Sequence, residues 1–156
     1  MTVAVTDNGF AEMLARARAL DALTIRVGIL ADTPKRTRSG QKGGKLSLVE
    51  VAFLHEFGAP AAKIPQRSFI RATVDKHAAE IRDLQVKLAT TVLAGKMTVE
   101  TAAGLLGAKV AAWCQNAISD GIPPALAPAT IARKKSSKPL VDTGQLKSSI
   151  TWQVVA

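Results

Sequence analysis

Tyrosine is absent from this chain, cysteine occurs once, and aromatic residues of all kinds fill only 4% of its 156 positions. The lone Cys114 excludes an intrachain disulfide and any metal site built from several cysteines. So few aromatics require an aliphatic, alanine-rich core and leave little with which to stack nucleobases. No apolar run approaches the ~18 to 20 residues that would span a bilayer, so no membrane partner is expected. The first residues show no basic segment followed by an apolar one, so a signal peptide is not expected and cytosolic assembly is the simplest reading.

Positive charge, by contrast, is abundant. Lys and Arg number 21 against 12 Asp and Glu, a net charge of +9. That balance favours an acidic partner: nucleic acid, anionic lipid or a negatively charged protein surface. Apolar residues at 47% suffice for a core, and the length fits one domain over residues 1–156.

Periodicity gives the elements. Residues 1–6 alternate weakly around Val3 and Val5, and Asp7-Asn8-Gly9 reads as a turn. Phe10, Met13, Leu14, Ala17 and Leu20 predict a helix from about residue 9 to 21. Ile25, Val27 and Ile29 alternate with Arg26 and Gly28, predicting a half-buried strand over Thr24 to Leu30. The stretch 32–46 places Lys35, Arg36, Arg38, Lys42 and Lys45 among Gly40, Gly43 and Gly44, which reads as a flexible basic loop. A phosphate-binding loop there would need Gly where Ser39 stands and a hydroxyl where Leu46 stands. Contact with DNA or an acidic neighbour competes with a plain solvated loop.

The organising stretch is SLVEVAFLHEFGAPAAKIPQRSFIR, Ser47 to Arg71. Ser47 and Glu50 form a capping box ahead of an apolar helix, with Leu48, Val51, Ala52, Leu54 and His55 at helical spacing and Gly58 as a left-handed stop. Ile64-Pro65 forces extended backbone before Ser68 opens an amphipathic helix of about 26 residues. Gly95 ends it, and Thr98 caps a third helix striped by Val99, Ala102, Ala103, Leu106, Val110, Trp113 and Ala117. The two long helices are expected as an antiparallel hairpin, with Gly104, Gly107 and the alanines permitting close approach, until Asp120 to Pro124 breaks the second. Pro124 and Pro128 then bracket a short segment, and Arg133, Lys134, Lys135 and Lys138 form a second basic run. Asp142 is placed to N-cap a short helix with Gln145 three residues on, and Ile150, Trp152 and Val154 alternate as a closing strand. That strand and Thr24 to Leu30 are natural partners. The fold class is therefore α+β: a small, mostly antiparallel sheet packed against two long helices, with extended basic loops.

Catalytic motifs are weak. Val141-Asp142-Thr143-Gly144 matches the hydrophobic-D-T-G of an aspartic protease, yet such an enzyme needs two carboxylates and a β-rich body after the motif. His55-Glu56 begins H-E-x-x-H, but Ala59 stands where the second zinc ligand belongs. His77 and Cys114 fall on apolar helical stripes and read as core residues. No enzyme, metal or cofactor is expected.

Two stretches together resemble a family of tailed-phage structural proteins. Val51-Ala52-Phe53-Leu54-His55-Glu56-Phe57-Gly58 followed by Ile64-Pro65-Gln66-Arg67-Ser68-Phe69-Ile70-Arg71 is similar to the A-x-x-x-E-F-G … I-P-x-R-P-F-(L/I/M)-R signature of phage neck, tail-completion and minor tail proteins. Leu126 to Lys134 and Pro139 to Ile150 resemble the A-P-x-T-I-x-R-K … P-L-x-D-T-G-x-L-x-x-S-I segment of the same group. One departure is Ser68, where the family carries a second proline. The resemblance implies a virion component at the head–tail junction, assembled as a ring, commonly a hexamer, beside neck, collar, connector or tail proteins and in non-specific contact with packaged DNA. It implies architectural roles: Phe57 and Phe69 pinning the interhelical loop to the sheet, Gly58 and Pro65 shaping the turn, Arg67 and Arg71 pairing with carboxylates, and Asp142, Thr143 and Gly144 fixing entry into the last helix. Lys35, Arg36, Arg38, Lys42, Lys45, Arg133, Lys134 and Lys135 are the candidate contacts to DNA or an acidic partner. The alternative from another class is a small basic DNA-binding protein acting through backbone contacts.

Overall fold

A computed structural model describes residues 8–30, 47–125 and 144–155. In chain order its elements are α1 (Phe10–Asp21), β1 (Thr24–Gly28), α2 (Leu48–Phe57), α3 (Arg71–Lys76), α4 (Ala78–Leu93), α5 (Val99–Asp120), α6 (Gln145–Ser148) and β2 (Thr151–Val155), with a 3₁₀ turn at Pro60–Ala62. The fold is α+β. β1 and β2 pair antiparallel in the register Thr24 to Val155 through Gly28 to Thr151.

α5 is the spine. Its buried face, from Val99 to Ile118, divides between two apolar clusters. Its first half packs with Leu88 and Val92 of α4 and with Leu20 of α1. Its second half, through Ala111, Cys114 and Ile118, packs with Leu48 and Ala52 of α2, Phe69, Leu146 and Ile150. Val27 of β1 reaches both clusters and so welds the sheet to the helix. Thr98 caps α5 through its side chain to the Thr101 amide, as the sequence predicts.

Three expectations change. The small residues Gly104 and Gly107 admit the Trp152 ring of β2 rather than a second helix: a Cβ on either would stand 3.0–3.1 Å from the indole. Only glycine lets the strand's one large ring lie flat on α5. The expected 26-residue helix begins at Arg71, not Ser68, and is interrupted at His77, which leaves helical geometry at φ −100°, ψ 16°. The interruption coincides with the His77 imidazole stacking on Trp113, 4.3 Å between ring centres and 3° from parallel, while its Nδ1 pairs with Glu80. Helix periodicity does not register a stacking partner carried on another helix. Finally, the N-cap position of α6 is held by Gly144 at φ 73°, with no side-chain cap, in place of the expected Asp142. A left-handed entry needs glycine's freedom. Asp142 and Thr143 themselves lie outside the described residues, as do the basic residues of 32–46 and Arg133, Lys134 and Lys135.

Candidate functional site: the Glu56 elbow

The stretch carrying the first signature folds into a helix, a tight loop and a second helix start. α2 forms because its capping box is complete: Ser47 Oγ accepts from the Glu50 amide at 3.2 Å and Glu50 Oε2 accepts from the Ser47 amide at 2.6 Å. Leu48, Ala52 and Glu56, each four residues apart, make its buried side. Gly58 then turns the chain at φ 75°, ψ 168°, a positive φ but not the left-handed helical stop expected. A Cβ there would lie 2.9 Å from the Gln66 amide nitrogen, so glycine is required for conformation and for space. Ala59 and Ile64 close the loop by an antiparallel bridge, leaving Pro65 exposed on the extended segment beyond it.

Glu56 is the centre of this elbow, and sequence reasoning gave it no role. The residue is 7% exposed. Oε1 accepts from the Ser68 hydroxyl at 2.6 Å and the Arg71 amide at 3.0 Å; Oε2 accepts from the Phe69 and Ile70 amides at 2.9 and 3.0 Å. Three orphan amide donors at the entry to α3 thus find one acidic side chain from the preceding helix. Burial alone would push this carboxyl up, but the hydrogen bonds from Ser68, Ile70, Arg71 and Phe69 outweigh it and hold it below the ordinary carboxylate value. Ser68 adds a second tie, its Oγ accepting from the Ala72 amide at 3.0 Å. The signal was present in the sequence: an acid on the Leu48–Ala52 stripe must be buried, and a buried carboxylate must find donors.

The arginines serve the same frame, through carbonyls rather than carboxylates. Arg67 is 5% exposed, and its guanidinium forks onto the Pro124 carbonyl at 3.0 and 2.8 Å and reaches the Ala125 carbonyl at 3.4 Å. Desolvation lowers its pKa. The five-donor fork thus fastens the segment that follows α5 to the elbow through its backbone oxygens. Arg71 instead lies over the Phe57 ring at 5.7 Å, a cation–π contact.

The two phenylalanines separate. Phe69 is fully buried in the cluster with Cys114 and Ile118. Phe57 is 51% exposed and packs against Phe53, ring centres 4.7 Å apart and planes tilted by 46°, outside the core. It does not pin the loop. The reason is helical phase: Leu48, Ala52 and Glu56 face inward, so Val49, Phe53 and Phe57, one residue further on each time, face out.

Cys114 is fully buried, its thiol pushed up to about 11 by burial and by the nearby Glu56 charge, which suits a small core residue and not a nucleophile. Among the described residues no group of three or more His, Cys, Asp and Glu converges as a metal site, and no helix is long and apolar enough to cross a membrane. Comparison with family models, with curated proteins and with solved structures gives no match.

Proposed function

We propose that this chain is a structural protein of a tailed-phage virion, a ring-forming subunit at the head–tail junction in the manner of neck, collar or tail-completion proteins. The observation that carries the reading is how the elbow uses its polar groups. Both oxygens of Glu56 accept hydrogen bonds from the segment that follows it, and the Arg67 guanidinium is committed to two backbone carbonyls. Two residues of the first resembling stretch, Glu56 and Arg67, therefore act as struts, which is what a machine part needs of them. Packing supports the same view, because α2 presents a row of large apolar side chains to the outside. Ring subunits require such faces. The partners of this reading are further copies of the chain, most simply six, and neighbouring connector or tail proteins; the place is the virion.

A test follows in the phage that encodes the chain. Removing its gene should leave filled heads and tails that do not join, and supplying the protein should restore joined particles. Normal virions without it would overturn the assignment.

One observation favours the second reading, backbone contact with DNA. The stretches 32–46 and 126–143 together hold nine of the 21 basic residues and two of the 12 acidic ones, a local net charge of +7. Filter binding of duplex DNA across a salt titration tests it: contact through phosphates gives an affinity that falls linearly with salt on logarithmic axes. Salt-independent binding, or none, would dismiss it.

A further inference from the structure

Two short helices of this chain are only half used by its own core. In α1 no residue is buried. Its apolar stripe begins seated, with Leu20 packed against the first half of α5, and continues outward through Leu14, Met13 and Phe10, which are 38, 41 and 64% exposed. A free helix of about 12 residues is marginal in water; among the described residues the apolar packing of α1 on the core comes through Leu20, near its end, with Arg16 tied to the Leu93 carbonyl in mid-helix. α2 is apolar on both sides. Its inner side, Leu48 and Ala52, meets the second half of α5, while Val49, Phe53 and Phe57 are 41, 62 and 51% exposed. A helix apolar all round belongs in an interior, and among the described residues only its inner side is covered.

We infer that the outer side is covered by a second copy: the outer face of α2 in one subunit receives the overhanging stripe of α1 from the next. The contact rests on the ring reading and gives it a named interface. Three features select a copy of this chain over another occupant. Both faces are present on the same molecule and are of similar size, three large apolar side chains each. They are mounted on opposite halves of α5, so joining one to the other is head-to-tail, the heterologous geometry that closes a ring and that a two-fold pairing of like faces lacks. Their charges also complement: Glu50 is the one charged residue on the exposed side of α2, and the exposed cation Arg18 flanks Leu14 one turn further along α1.

Area supports the match. With roughly 150–250 Å² for an aromatic side chain, the six together expose on the order of 500–600 Å². A standard interface buries about 1,200–2,000 Å², of which a little over half is apolar. The six residues thus supply the dry centre of one contact, and polar neighbours supply its rim.

Disulfide trapping tests the pairing. The chain is made with Met13→Cys and Phe53→Cys singly and together, with the wild type as control because Cys114 is fully buried. Under mild oxidation the double variant should give a ladder of covalent multimers. A mixture of the two single variants should give only dimers, and neither single variant alone should cross-link. In parallel, Phe53→Arg should weaken self-association about tenfold or more with an unchanged melting profile, because Phe53 lies outside the core. Cross-linking by Phe53→Cys alone would show a two-fold α2 pairing and overturn the proposal. So would assembled rings without cross-links, which would leave the ring reading standing. A protein that remains monomeric at every concentration would overturn both.

Discussion

The Glu56 carboxylate and the Ser68 hydroxyl, twelve residues apart in sequence, meet at 2.6 Å. Around that contact the entry to α3 is organised, since the same carboxylate takes the amides of Phe69, Ile70 and Arg71. Ser68 stands where the resembling phage family has proline, and here its hydroxyl does work that a proline ring cannot: it donates to the acid and receives the Ala72 amide.

Removing the acceptor should therefore be costly. Glu56→Ala leaves three amides and a hydroxyl without their partner in a buried place, and the expected loss is about 3–5 kcal/mol. Glu56→Gln keeps the shape and part of the accepting capacity, so its loss should be about half as large. Urea unfolding monitored by circular dichroism measures both. Equal stabilities for wild type and Glu56→Ala would show that the elbow does not depend on this carboxylate.

The same group gives the protein an acid sensitivity. The folded carboxyl is held below its ordinary value of 4.5, so its contribution is fully present above that pH. It is lost as pH falls through the folded value. Between pH 7 and pH 3 the wild type should lose more stability than Glu56→Gln, whose amide does not titrate. Parallel pH profiles for the two proteins would contradict the assignment.

Phe57 and Phe69 should behave oppositely although both belong to the signature. Phe69→Ala opens a cavity in the cluster around Cys114 and Ile118, with an expected loss of about 3–5 kcal/mol. Phe57→Ala removes a half-exposed ring and should change stability by less than about 1 kcal/mol, while weakening association. Thermal melts read the first effect and sedimentation the second. Matching melting losses would place Phe57 in the core after all.

Gly107 offers a check on the sheet. Gly107→Ala introduces a Cβ 3.0 Å from the Cβ and the indole ring of Trp152, a rigid group that cannot easily yield. A loss of about 1–3 kcal/mol is expected from overpacking, and the near-ultraviolet signal of Trp152 should change with it. The exposed helix change Ala112→Ser, away from the strand, is the control and should be nearly neutral.

Local chemistry was the part of this fold legible in the sequence. The Ser47–Glu50 box and the Thr98 cap act over three residues, and the alternation of Ile25 and Val27 with Arg26 identifies a strand whichever partner it takes. Pairing of β1 with β2 followed because each needed a neighbour. What stayed hidden depends on phase or on distance. α2 is so uniformly apolar that its hydrophobic pattern does not say which side faces in; the one mark of the inner side is Glu56, on the four-residue spacing of Leu48 and Ala52. Its donors lie twelve to fifteen residues downstream, and Arg67 finds carbonyls 57 and 58 residues away, separations no short pattern spans. The break at His77 likewise reflects a stacking partner, Trp113, that only the packed helices bring near.

The measurement that bears most directly on the ring account is the native mass of the purified protein, taken over a range of concentrations and viewed alongside by electron microscopy. A closed assembly of several copies, most simply six times the 16.4 kDa chain, with a central opening, is the predicted result. A 16.4 kDa species at every concentration that gathers only on duplex DNA would contradict it.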